Sequence, residues 1–258
     1  MTQDRGIYSV LSVQKAFEIL DVLADNASGM SLNPLAAQLG MTRNKTYRLL
    51  STLCESGLVS QDRHSGMYTL GVSSYSLGQK LVHQSSVISH AHPVIEELAR
   101  KHAEAVYMAV IQGDDVLFLD MVDCNQQIKA MPLLGKQVPF FTNAAGKVMK
   151  ALESTELIEW LKGLKRGKYK NIEDTEKLAT ELQEIRANGG IAVECGGLGD
   201  GIISIAVAVK DYAGHVIGAI TMLGPSFRML QDRIEDELIP SLLEAAAATS
   251  EKFGYAPT

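Results

Sequence analysis

Cysteine, tryptophan and long apolar runs are all scarce in this chain. Of its 258 residues three are cysteine and one is tryptophan. Cys54, Cys124 and Cys195 are odd in number and form no C-x-x-C pair, which argues against a disulfide framework or a zinc knuckle and for reduced thiols in the cytoplasm. The longest mainly apolar stretch, Ile202 to Val209, falls far short of the roughly 18 residues a membrane span requires. Met1 to Arg5 lead into no apolar h-region, so no secretory signal is expected. With 46% hydrophobic and 21% charged residues the chain is not disordered, and its length suits one or two domains with their own cores.

Positive charge is also in deficit, with 24 Lys and Arg against 30 Asp and Glu and a net charge of −6. The deficit is uneven. Residues 1–80 hold seven basic side chains against six acidic ones, a net +1 that leaves −7 for the remainder. Between Asn26 and Cys54 there is no acid at all, while Arg43, Lys45 and Arg48 fall close together. A local basic face on an acidic molecule is the charge distribution expected of phosphate contact.

That face lies in a pattern of short helices. Ser12 precedes Val13, Ala16, Phe17, Leu20 and Leu23, whose spacing marks one apolar helix face, with Ser12 as the expected N-cap. Asn26 to Gly29 break it. A second helix is expected from an Asn33 N-cap, with Pro34 in its first position, Leu35, Ala36 and Leu39 facing inward and Gly40 closing it. Thr42 then caps a third helix, closed by Gly57. Its core side is read as Tyr47, Leu50, Leu53 and Cys54, its outward side as Arg43, Asn44, Lys45, Thr46 and Arg48. Two short helices joined by a tight glycine turn make a helix-turn-helix, whose second helix enters the major groove by its N-terminal end. There Arg and Lys can donate to guanine, Asn can pair with adenine, and Thr can reach a phosphate or a thymine methyl.

Leu58 to Gln61 and Met67 to Leu70 alternate around a Gly66 turn, as a small hairpin does. Placed directly after a recognition helix it is the wing of a winged helix. Arg63 and His64 at its tip are candidate phosphate or minor-groove contacts, His64 serving equally well as an ordinary loop residue. A further helical pattern from Ser73 to about Ser89 carries Leu77, Leu81, Val82 and Ile88 and is suited to pairing with its twin in a dimer.

These segments resemble the IclR family of bacterial transcription regulators. The resemblance is carried by Ser12 to Leu20, Leu35 to Gly40, Lys45-Thr-Tyr-Arg-Leu-Leu50, Gly57-Leu-Val59, Tyr68 to Gly71, His92 to Ala99, Val116 to Asp120, Ala144-Ala-Gly-Lys-Val148 and Gly214 to Pro225. It implies an α+β protein of two domains: a winged helix-turn-helix over 1–72, a linker helix over 73–89 and a GAF-like effector domain over 90–258. It also implies a dimer or tetramer that binds double-stranded operator DNA, represses more often than it activates, and answers to a small organic or aromatic acid.

The second half agrees on its own terms. A helix is expected over 90–103, starting near Pro93. Residues 104–111 and 116–122 read as one hairpin, 202–209 and 216–223 as another. Turns this short force antiparallel pairing. Helical patterns at 144–152, 154–162, 175–188 and 230–253 complete a GAF-like α+β domain with a mainly antiparallel sheet. By the resemblance the segment from Phe141 to Val148 opens a helix whose free amides help hold a small anion, which puts Ala144, Ala145 and Gly146 at the effector site. Val138 is a further candidate, with Ala130 and Gln127 weaker ones. Glu194, Ile202, Ser204, Thr221 and Leu223 occupy pocket positions on the facing strands, although Ile202 and Leu223 serve equally as plain core. The family commonly has a run of acids where this chain reads Glu194-Cys-Gly-Gly197, so the loop has less charge and more freedom, and a larger effector fits the pattern.

Two other classes stand beside this reading. An enzyme with an accessory helical domain would need a catalytic set within 90–250. Gly196 to Gly201 lack the dinucleotide-loop spacing, Gly146-Lys147 is followed by Val148 rather than Ser or Thr, and His90 and His92 do not share a helix face. A winged helix that binds only protein is opposed by the acid-free basic stretch.

Overall fold

The computed structural model describes residues 9–153 and 175–256. The helical pattern expected at 154–162 lies outside these residues. The chain divides into two compact units, Met1–Ser85 and Ser86–Thr258.

The first unit runs α1 (Leu11–Asp25), α2 (Leu32–Gln38), α3 (Arg43–Glu55), β1 (Val59–Gln61), β2 (Tyr68–Leu70) and α4 (Val72–Gln84). Its core gathers Ile19, Leu23, Leu35, Leu50, Leu53, Val59 and Tyr68. The buried face of α1 is therefore Ile19 and Leu23, with Ala16 and Leu20 partly covered, while Val13 and Phe17 lie exposed. Two expected caps are corrected. Helix α1 begins at Leu11 after Val10, and α2 begins at Leu32 after Ser31, neither with a side-chain cap, so Pro34 sits in the third helical position. That position tolerates proline for the same reason as the first, because its amide has no partner within the helix. The wing pairs antiparallel, Val59 with Leu70 and Gln61 with Tyr68. Met30 extends this small sheet by exchanging two backbone hydrogen bonds with Tyr68, at 2.9 and 2.8 Å. Gly29 makes that approach possible, since its φ is +79° and a Cβ there would meet the Tyr68 carbonyl oxygen at 2.7 Å.

Helix α4 buries none of its residues and exposes Val72, Tyr75, Leu77, Leu81 and Val82. It ends at Gln84 rather than near Ser89. Ser85 is extended, and a new helix, α5 (Ser86–His102), begins at Ser86, so Pro93 lies inside a helix instead of at its start. Consecutive serines favour such a break because their hydroxyls compete for backbone hydrogen bonds.

The second unit continues through β3 (Ala105–Gln112), β4 (Asp115–Val122), β5 (Gln137–Pro139), a 3₁₀ turn at Phe140–Thr142, α6 (Ala144–Glu153), α7 (Thr175–Ala187), β6 (Ile191–Cys195), β7 (Ile202–Lys210) and β8 (Val216–Pro225). A short turn at Gln231–Arg233 and a π turn at Ile234–Leu238 lead into α8 (Ile239–Lys252). The six strands form one antiparallel sheet in the order β5-β4-β3-β8-β7-β6. Both hairpins are as expected, and β3 pairs with β8 to join them at the centre.

Alternation along the strands gives the sheet two different faces. One carries Val106, Met108, Ile205, Val207, Ile220 and Met222 and packs against α5 and α8. The other carries Ala105, Tyr107, Ala109, Ala206, Ala208, Ala219 and Leu223 beneath α6 and α7. The first is built from valine, isoleucine and methionine, the second largely from alanine. Near the edge of β3 the Glu104 carboxylate, 1% exposed, receives Arg228 at 2.8 and 2.7 Å and Arg233 at 3.0 Å. Arg228 also donates to the Ile128 carbonyl at 2.7 Å and Arg233 to that of His102 at 2.7 Å. These two arginines tie the loop after β4, the end of α5 and the segment after β8 to a single buried anion.

Candidate DNA-binding face and effector site

Helix α3 follows α2 after Leu39 to Thr42, with Gly40 at φ +59° supplying the left-handed turn. Thr42 caps α3 by accepting the Lys45 amide at 3.4 Å. This geometry sets Thr42, Arg43, Asn44, Lys45 and Arg48 on the exposed side. Among the described residues no acid pairs with Arg43, Lys45 or Arg48. Thr46 does not belong to that side. It is 0% exposed, with its hydroxyl donating to the Thr42 carbonyl at 3.1 Å. Tyr47 changes places with it and is 53% exposed rather than facing the core. The reason is helical phase: Thr46 stands four residues before Leu50 and seven before Leu53, the buried stripe of α3.

Concavities flank this ridge. One, of about 730 Å³, is lined by Asn33, Arg43, Asn44, Tyr47, Gln61 and Ser65 and lies between α3 and the wing. The other, of about 490 Å³, is lined by Ser12, Thr42, Lys45, Arg48 and Thr52. Arg43 thus faces the wing side and Arg48 the α1 side, with Asn44 between them. At the wing tip Arg63 and His64 are exposed. Their turn is ordered by Asp62, which accepts the His64 amide at 2.9 Å and the Ser65 hydroxyl at 2.6 Å. Those bonds, the Ser65 hydroxyl first, hold the Asp62 carboxyl below its ordinary range. Tyr47 and Gln61 are members of this face that the sequence reading missed. For Tyr47 the signal was the same phase that buries Thr46.

In the second unit the alanine-rich sheet face collects most of the expected effector residues. Glu194, Ser204, Leu223 and Ala105 are register partners across β6, β7, β8 and β3. The next rung on the same face runs Ala192, Ala206, Thr221, Tyr107 and Met121. Ile202 shares the parity of Ser204 at the end of β7, and Val138 lies on the edge strand β5. Ala144, Ala145 and Gly146 open α6 above this face and are fully or nearly fully buried. Gly146 is required there, since a Cβ would overlap the Phe140 carbonyl oxygen.

The resemblance implies free amides at the start of α6, but two of them are engaged within the protein. The Ala144 amide donates to Ser204 Oγ at 3.1 Å, and that of Gly146 to Asn143 Oδ1 at 2.8 Å. A hydroxyl that accepts from Ala144 still has its own proton to give, so Ser204 links the helix terminus to whatever lies beside it. Glu194 is also engaged. It pairs with Lys147, a residue 5% exposed, which bonds Glu181 as well at 2.6 Å. One ammonium thus stands between two carboxylates, so the cluster brings no net positive charge to the start of α6. Sequence spacing carried no sign of this three-residue cluster, whose members lie on α6, α7 and β6. Thr221 donates to the Ile205 carbonyl at 3.0 Å. Among the described residues no three His, Cys, Asp or Glu side chains converge as metal ligands would.

A winged helix with a bare cationic recognition ridge, followed by an α/β unit of a different build, defines a DNA-binding regulator of two-unit design. Residues 12–63 match the IclR helix-turn-helix domain, and residues 79–251 match the C-terminal domain of bacterial transcriptional regulators of the IclR type. The chain belongs to the IclR family. It is 28% identical over 255 residues to the transcriptional regulator KdgR of Escherichia coli K12, covering 98% of this chain and 96% of that protein. It is 27% identical over 251 residues to the transcriptional repressor AllR of Klebsiella pneumoniae, covering 95% and 91%. An IclR transcriptional regulator from Alicyclobacillus acidocaldarius superposes with a TM-score of 0.82 at 26% identity, covering 96% of this chain and all of that one.

Proposed function

We propose that this regulator acts as a homo-oligomeric repressor in the cytoplasm, without enzymatic activity, and that a small organic acid controls its hold on an operator. Thr42, Arg43, Asn44, Lys45 and Arg48 are the groove-facing set, with Arg63 and His64 reaching the flanking backbone. The observation that carries the DNA side is the exposure of three cations, unpaired among the described residues, on the capped end of α3. Repression is supported by the name of the related AllR. The unburied apolar stripe of α4, with Val13 and Phe17 of α1, supports association of copies, because a helix with no covered face has little to hold it.

For the effector the supporting observation is the rung formed by Glu194, Ser204 and Leu223 below Ala144, Ala145 and Gly146. The start of α6, through its dipole, favours an anion. Val138, Ile202 and Thr221 border the same region. Binding alters DNA affinity only if the acid prefers one of two states of the oligomer. A thermal-shift screen of aliphatic and aromatic carboxylic acids tests the effector half directly, since a ligand bound by the folded state alone raises the melting temperature. At a hundred times its Kd a binder adds about 2.7 kcal/mol. An upward shift with at least one acid, diminished in Ser204→Ala, is the expected result. No shift with any acid counts against the effector reading.

A further inference from the structure

Among the described residues Asn44 alone borders both concavities beside α3. Helical phase agrees with that placement. At about 100° per residue, Asn44 and Arg48 fall within about 30° of the direction opposite the buried stripe of Thr46, Leu50 and Leu53. Arg43 and Tyr47 lie more than about 80° from it, on the flank toward the wing. Asn44 therefore stands on the crest of the ridge. Arg48 follows one turn later, farther from the helix end that enters a groove first.

Crest and flank meet different parts of a duplex. The major groove is about 12 Å wide and a helix with its side chains about 10–12 Å across, so the crest faces base edges and the flanks face the two backbones. A wing beside the recognition helix reaches across one of those backbones, so a phosphodiester strand has to pass between α3 and the wing. The concavity there presents Arg43, Tyr47 and Gln61, one cation with two neutral side chains able to donate. Asn44 differs in kind from the cations around it. Arg43, Lys45 and Arg48 only donate, whereas a carboxamide donates and accepts. The Asn44 carboxamide is exposed and makes no hydrogen bond among the described residues. In the major groove adenine offers an acceptor at N7 and a donor at N6, the complement of a carboxamide.

Resting on the DNA-binding reading above, we propose that Asn44 is the specificity-determining residue of the operator contact, reading one adenine in each half-site, and that Arg43 holds a phosphate instead of a base. The set assigned to the groove thus divides by position on the helix. Sequence preference at one A·T pair is lost with Asn44 and kept without Arg43, while the charge of Arg43 adds affinity to every sequence alike.

The test titrates the full chain and its Asn44→Ala and Arg43→Ala variants, at two salt concentrations, against the protein's own upstream duplex and a set in which each base pair is replaced in turn. Wild type is expected to lose roughly 5- to 150-fold when one A·T pair per half-site is replaced. It should lose part of that affinity when the adenine alone becomes 7-deazaadenine, which lacks the N7 acceptor. In Asn44→Ala both losses shrink to about twofold or less, with the preferences at other pairs and the salt slope unchanged. Arg43→Ala keeps the A·T preference, weakens every duplex by the same factor and flattens the salt slope by about one unit. Melting temperatures equal to wild type show that these losses are of contact and not of fold, as expected for two exposed side chains. An A·T preference that survives intact in Asn44→Ala overturns the assignment, and so does a wild type that responds to no A·T pair. An Arg43→Ala variant that loses its preference at one base pair alone overturns the phosphate role. Wild type that binds the upstream duplex no better than a scrambled one removes the DNA-binding reading and this inference together.

Discussion

Alanine at Arg43 or Arg48 is expected to weaken binding to the protein's own upstream DNA by roughly 5- to 150-fold if the lost contact is a base edge, the equivalent of about 1–3 kcal/mol. If the lost contact is a phosphate, the loss is uniform across sequences and the slope of log K against log salt flattens by about one unit. Both side chains are exposed and face opposite sides of the α3 ridge, one toward the wing and one toward the start of α1. The two modes are therefore separable by titrating each variant at two salt concentrations on specific and scrambled duplexes. Folding should be undisturbed, since exposed positions of this kind usually change stability by less than about 0.5 kcal/mol. Unchanged DNA binding in both variants would remove α3 from the interface.

The second large effect concerns stability. Glu104→Ala is expected to cost about 2–4 kcal/mol in urea denaturation, as loss of one member of a buried, hydrogen-bonded ion cluster does. The substitution strands two guanidinium groups that the Glu104 carboxylate holds through both its oxygens. It also loosens the tether from Arg228 to Ile128 in the loop between β4 and β5. Arg228 and Arg233 keep some access to water, which limits the penalty to the lower part of the range for buried pairs. A loss below about 1 kcal/mol would show that the cluster contributes little beyond its geometry.

Local features of this fold were legible and distant ones were not, for physical reasons. Gly40, the Thr42 cap, the wing around Gly66 and the two antiparallel hairpins all follow from residues within a few positions of each other. The errors arose where helical phase had to be chosen. Tyr47 is large and aromatic and was assigned inward on that ground, yet the stripe through Leu50 and Leu53 selects Thr46 at the i−4 position. Likewise Ile19, not Phe17, fills the core under α1. Val13 and Phe17 stay exposed. In the second unit the β3–β8 pairing joins segments more than a hundred residues apart with no turn to announce it. The Glu104–Arg228–Arg233 and Lys147–Glu181–Glu194 clusters depend on that pairing and on helix packing, so spacing alone gave no hint of them. Most of the proposed effector residues share one sheet face because strand parity was readable.

Fluorescence anisotropy on a labelled duplex from the protein's own upstream region, titrated with and without an acid that raises the melting temperature, bears most directly on the central claim. The account predicts binding that exceeds that to a scrambled duplex by about a thousandfold or more and falls steeply with salt. It also predicts a shift in affinity on addition of the acid that is absent in Ser204→Ala. Equal affinity for both duplexes, or an acid that binds the protein yet leaves its DNA affinity untouched, would contradict it.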